Sequence, residues 1–158
     1  MPSMGFARAR ARKVLQDYRY TRPPIPVEEI AMAEGLPIVR VSDWDDRVSA
    51  YLDHGAMTIA VNDRHHPLRR RFSIAHELGH FFLGNSLEQA YEEEIDLEQE
   101  QREDEVEANE FASELLVPRA MLMGDFARVK DAARLADLYQ VSEHAMWVCL
   151  LKGGLIRG

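Results

Sequence analysis

Two hydrophobic periods share the chain, and the changes between them mark its elements. From Ala7 to about Tyr20, Val14, Leu15 and Tyr18 recur at helical spacing among charges, which predicts an amphipathic helix stopped by "TRPPIP". A second short helix is expected in "VEEIAMAEG", with Pro26 at its first turn and Gly35 at its end. The period then shortens. "LPIVRV", "SAYLDHG" and "MTIAVND" are rich in Val, Ile and Tyr and separated by turn formers, so they predict three strands of a small antiparallel sheet. Helical periodicity returns from Leu68 to Leu83 through Phe72, Ala75, Leu78 and Phe82.

Residues 84–100 are acidic and turn-rich, the composition of a loop or a frayed helix start. From about Arg102 a further helix is expected to turn Val106, Phe111 and Leu115 inward, with Pro118 near its end. Two helical segments follow, "DAARLADLYQ" and "SEHAMWVCLLKG", joined at "VS" with Ser142 as N-cap. They resemble a helix-turn-helix and make residues from about 125 to 158 a helical subregion. With no repeat or linker in view, the reading is one α+β domain over residues 1–158.

Composition narrows the class. A chain of 158 residues, 46% hydrophobic and 29% charged, matches a soluble globular protein that needs no metal merely to fold. No apolar run reaches the roughly 18 residues of a bilayer span, and the basic N-terminus lacks the apolar stretch of a secretory signal. Cys149 is the single cysteine, so no internal disulfide can form and the cytoplasm is the expected compartment. The net charge of −8 opposes tight nonspecific binding to nucleic acid.

The candidate chemistry lies in "RRRFSIAHELGHFFLG", which contains the pattern H-E-x-x-H. On a helix, residues four apart share a face, so His76 and His80 can converge on one metal while Glu77 reaches a water beside it. Three fixed positions arise by chance in many chains. Here the flanks "FSIA" and "FFLG" are apolar, however, and buried imidazoles and a carboxylate without partners would cost several kcal/mol. A metal satisfies them.

A catalytic zinc takes three protein ligands and leaves a position for water. No third histidine follows at the spacing H-x-x-G-x-x-H, so the third ligand is expected from "EDEVEANEFASELLVP". Glu105 is preferred because Asn109, four residues on, can orient the ligand or a histidine ring; Glu107 and Glu110 compete with it. Further donors to a developing oxyanion are sought among Tyr51, His54, Tyr91 and His144, each of which is equally an ordinary surface or packing residue.

These two motifs in this order, with "PPIPVEEIAMAEGLPIV" upstream and "TIAVND" between, resemble the ImmA/IrrE family of metallopeptidases over nearly the whole chain. The resemblance implies a zincin-like fold with one Zn2+ held by His76, His80 and Glu105, and Glu77 as general base. It further implies an endopeptidase whose protein substrate is a helix-turn-helix repressor, so that cleavage relieves repression. Cys149 stands where the family leads one to expect arginine, and no sensor domain follows Gly158, which places a stress-sensing role in doubt.

Two other classes compete. The tail could be a DNA-binding module, but its second helix offers bases only Glu143, His144 and Lys152, while Met146, Trp147 and Leu150 suggest packing. An antitoxin-like interaction protein could keep the zinc site without turnover, against which Glu77 stands intact. The basic run Arg8 to Lys13 and the acidic run Glu92 to Asp96 are read first as solvated surface. Neither a nucleic-acid nor a membrane partner is expected, and the oligomeric state is open.

Overall fold

Strands β1 (Ile38–Val41), β2 (Ala50–Asp53) and β3 (Thr58–Asn62) form a sheet in the order β1-β3-β2. The computed structural model describes residues 2–84 and 99–158. The sheet is mixed, not antiparallel as expected: β2 pairs antiparallel with β3, while β1 runs parallel to it with Ile38 opposite Ile59. The reason lies in the connection between β1 and β2. Buried Asn62 donates through Nδ2 to the carbonyls of Asp45 and Val48, pinning that loop so that β2 begins on the far side of β3. β2 is thereby an edge strand.

Seven helices complete the described residues: α1 (Met4–Asp17), α2 (Val27–Ala33), α3 (Pro67–Leu83), α4 (Gln99–Leu116), α5 (Arg119–Arg128), α6 (Ala132–Tyr139) and α7 (Glu143–Lys152). α1 starts earlier than its periodicity suggests because the Ser3 hydroxyl caps it, accepting from the Phe6 amide. Pro26 sits at the N-cap of α2 and not inside its first turn. α5 was not anticipated. Pro118, read as a terminator, is its N-cap, and only Leu122 and Asp125 of the helix are buried, which leaves almost no period to detect. The expected loop over residues 84–100 lies mostly outside the described residues, and α4 is already helical at Gln99.

α3 packs on β2 and β3 with one face and on α4 with another, and α1 lies along α4. One cluster of buried apolar side chains runs from Ala7 and Ala11 through Ile59, Leu78 and Phe111 to Leu150. Arg71 of α3 ties three segments together, donating to the carbonyls of Ile25 at 2.8 Å, Gln140 at 3.0 Å and Tyr139 at 3.3 Å. The basic stripe of α1 is no free surface either. Arg8 and Arg12 reach Glu110 and Glu114 of α4 at 3.1 and 3.3 Å, and both glutamates are buried. The acidic partner of that stripe is the chain's own helix.

At the C-terminal end, the Tyr139 hydroxyl, fully buried, donates to Asp125 Oδ2 at 2.6 Å. Burial, with Asp125 beside it, holds the phenol well above its ordinary range, so this proton stays in place. Tyr139→Phe leaves the buried carboxylate short of a donor, which costs about 1–3 kcal/mol. Thermal unfolding is expected to shift down by roughly 2–4 °C per kcal/mol in a chain of this size; an unchanged midpoint would show that the bond contributes nothing.

Candidate metal centre

α3 is built to hold a rigid polar face in apolar surroundings. Pro67 occupies its first turn, the His66 ring accepts from the Leu68 amide at 3.0 Å, and Gly84 closes the helix in the left-handed region at φ 74°. Ser73, Ile74, Ala75, Glu77, Leu78, Gly79 and His80 are all buried. The histidines thus stand on a fixed backbone. α4 crosses beside them because Gly79 has no side chain: a Cβ there would lie 3.0 Å from the Ala108 carbonyl oxygen and 3.1 Å from its Cα.

That crossing brings Glu105 over both rings. Glu105 Oε1 lies 2.6 Å from His80 Nε2, Glu105 Oε2 lies 3.3 Å from His76 Nε2, and the two Nε2 atoms are 3.1 Å apart. Ligand atoms on a tetrahedral zinc stand about 3.3 Å from one another, given Zn–N near 2.0–2.1 Å. The triangle therefore fits a single ion. Among the described residues, His76, His80 and Glu105 form the one group of three or more potential ligands that converge within 4.8 Å.

Asn109 supplies the orientation. Its Oδ1 accepts from His76 Nδ1 at 2.8 Å, which leaves the Nε2 lone pair free to face the triangle. The choice between ligand and ring that the spacing left open falls on the ring. Glu107 and Glu110 go elsewhere: Glu107 accepts from the Ser3 amide, and Glu110 pairs with Arg8 and, at 3.7 Å, Lys152. Val106, expected to face inward, is 39% exposed, because the turn of α4 that carries Glu105 presents its polar side to α3.

Charge accumulates at this point in ways that favour a cation. Burial pushes Glu77 upward, offset in part by the two histidines. Burial would likewise depress His76, but its hydrogen bond to Glu105, the charges of Glu77 and Glu105 and the Asn109 contact outweigh it and hold the ring above its ordinary value. Glu105 shows the converse. Burial opposes its charge, yet its hydrogen bonds to both histidines win and keep its carboxyl far below the usual range.

Asn109→Ala removes the acceptor that fixes the His76 tautomer while leaving all three ligands. Loss of such a partner ordinarily costs 10–100-fold in metal affinity. Zinc titration against a chelating dye should show a drop of about that size; an affinity equal to wild type would remove Asn109 from the account.

Beside the triangle lies a cleft of about 330 Å3 lined by Arg47, Ser49, Phe72, Ser73, Glu77 and Asn109, among others. Glu77 is anchored at its back by a hydrogen bond from the Leu52 amide of β2. None of the described donors sought in the sequence lines this cleft. Tyr51 and His54 belong to β2 and the turn after it, His144 is exposed on α7, and Tyr91 lies outside the described residues. Arg47 and Ser49 were missed, since a loop before an edge strand carries no pattern. The clue was Asn62, a polar residue inside an apolar strand, whose task is to hold that loop.

A family model described as the IrrE N-terminal-like domain (Peptidase_M78) matches residues 31–148. Among solved structures, a Mycobacterium tuberculosis transcriptional regulator superposes on 93% of this chain with a TM-score of 0.76 and 16% identity. The chain spans 46% of that protein, less than half of its length, and identity so low speaks to the fold alone. A comparison with curated proteins finds no match.

Proposed function

From the premise that the chain belongs to the IrrE N-terminal-like domain family, we propose that it is a zinc-dependent endopeptidase. Its substrate in this reading is a protein, specifically a helix-turn-helix transcriptional repressor whose cleavage relieves repression. The observation that carries the proposal is the meeting of His76, His80 and Glu105 with buried Glu77 at one cleft. Two histidines and one carboxylate are a ligand set of catalytic zinc, and they leave an open position.

His76 and His80, through Nε2, and Glu105, through its carboxylate, would hold the ion. The chemistry a zinc ion would supply there is polarisation of a scissile carbonyl and a lowering of the pKa of water to about 7. The remaining work falls to side chains of this chain. Glu77 accepts the proton of the attacking water and passes it to the leaving amine nitrogen. Its elevated carboxyl suits that shuttle, and the Leu52 amide keeps it aimed. Arg47 and Ser49 stand at the cleft as donors for the oxygen that gains charge. Phe72 walls the cleft and limits water.

A DNA-reading role for the tail has less support. α7 exposes Glu143, His144, Trp147 and Leu151, and its inward face is spent on Met146 and Leu150. Trp147, expected in the core, is 46% exposed and donates to Glu143. Bases are read by arginine, lysine, asparagine or glutamine, none of which α7 shows before Lys152. Among the described residues no helix is long and apolar enough to cross a membrane. Action in the cytoplasm is part of the proposal.

The test is incubation of the zinc-loaded protein with purified helix-turn-helix repressors, with products read by mass spectrometry. One defined cleavage that chelation abolishes and zinc restores is the expected result. Intact repressors under every metal condition, together with no cleavage of random peptides, would leave a non-hydrolytic regulator as the better reading.

A further inference from the structure

Phe72 borders two hollows. On one side it walls the cleft that holds His76 and Glu77. On the other it borders a larger, mainly apolar hollow of about 600 Å3 between the first turns of α3 and the junction of α6 with α7. Leu68, Val141 and Ala145 form the rest of its apolar lining, and Arg69 and Glu143 stand at its rim. Its volume falls in the range of sites that take small organic groups.

A hydrogen bond links the walls of the two hollows at a second point. Arg69 of the larger one donates through Nη2 to the Ser49 hydroxyl at 3.4 Å, and Ser49 lines the metal cleft. Among the described residues Arg69 forms no ion pair, whereas Arg40, Arg64 and Arg70 each reach an aspartate. Among the described residues, a guanidinium with no carboxylate at ion-pair distance therefore stands between the cleft and an apolar hollow. A bound segment leaving the cleft past Phe72 meets both.

We propose that this hollow is a specificity subsite for the protein substrate, taking one large apolar side chain while Arg69 pairs with an acidic residue beside it. The inference rests on the peptidase reading for its occupant. Its geometry does not depend on turnover, since a segment can seat there whether or not it is cut. Filling the hollow would select substrates by burial of an apolar group, worth about 1.5–3 kcal/mol or roughly ten- to hundredfold in affinity. Arg69 would add the choice of neighbour and a sensitivity to salt.

The experiment uses quenched fluorescent peptides randomised at every position, offered to the zinc-loaded protein for cleavage and to zinc-loaded Glu77→Gln for binding. Selected peptides should carry a leucine, phenylalanine or methionine beside an aspartate or glutamate at a fixed distance from the cut. Ala145→Trp fills the hollow and should raise KM on these peptides about tenfold at unchanged kcat and zinc content. Arg69→Glu, a change at an exposed residue that the fold tolerates, should turn the acidic preference into a basic one. Cleavage with no apolar selection, or with the same profile in both variants, overturns the subsite and leaves the peptidase standing. Selective binding by Glu77→Gln, lost on Ala145→Trp, with no cleavage by wild type upholds the subsite and removes the peptidase.

Discussion

Glu77→Gln should keep about one zinc per chain and lose hydrolysis by roughly 10²–10⁴-fold in kcat, the span of a positioned general base. The substitution preserves shape, and its amide oxygen can still accept from the Leu52 amide that anchors the carboxylate. What it removes is a proton acceptor. Since Glu77 is buried beside His76 and His80 and is not one of the three converging ligand groups, metal content and activity separate at this residue. Joint measurement of zinc by elemental analysis and of turnover on a selected peptide reads the two apart. Retention of more than about a tenth of wild-type kcat would assign the base elsewhere. Loss of zinc with loss of activity would make Glu77 part of the ion's coordination.

Gly79→Ala should damage the site without touching any group that does chemistry. The added Cβ would meet the carbonyl oxygen, Cα and Cβ of Ala108 at 3.0, 3.1 and 3.3 Å, mostly backbone that cannot rotate aside. α4 must move outward by a few tenths of an ångström, and Glu105 and Asn109 lie within one turn of Ala108 on that helix. Overpacking of this kind costs about 1–3 kcal/mol, or roughly 2–4 °C per kcal/mol in the melting midpoint. The helix propensity of alanine, better than glycine by about 1 kcal/mol, offsets part of that cost. Zinc affinity has no such offset and should fall at least about tenfold, as when a ligand's support is lost. A variant that melts like wild type and binds zinc equally well would show that the helices part freely, and that Gly79 sets nothing at the site.

The same two residues show how far the sequence could be read. His76, Glu77 and His80 were legible because one helical turn converts a spacing of four into shared space, and Glu105 with Asn109 repeats that logic on α4. Gly79 was visible only as a letter in the motif; its function is a distance to another helix, which no local pattern carries. Pairing direction failed for a similar reason. Alternation along β1 and β3 predicts strands of either sense, and their parallel pairing depends on Asn62 fixing the loop that sends β2 to the edge. α5 was lost because a helix with two buried positions has no stripe. The arginines of α1 read as solvated surface because their partners, Glu110 and Glu114, are a hundred residues away. Local chemistry was readable, and contacts between distant segments were not.

If α3 and α4 together make one zinc site, as proposed, elemental analysis of purified wild type, His80→Ala and Glu105→Ala after the same zinc reconstitution tests it most directly. About one zinc per wild-type chain, with most of it lost in each variant, is the predicted result. A wild type that takes up no zinc, or a Glu105→Ala that retains as much as wild type, would contradict it.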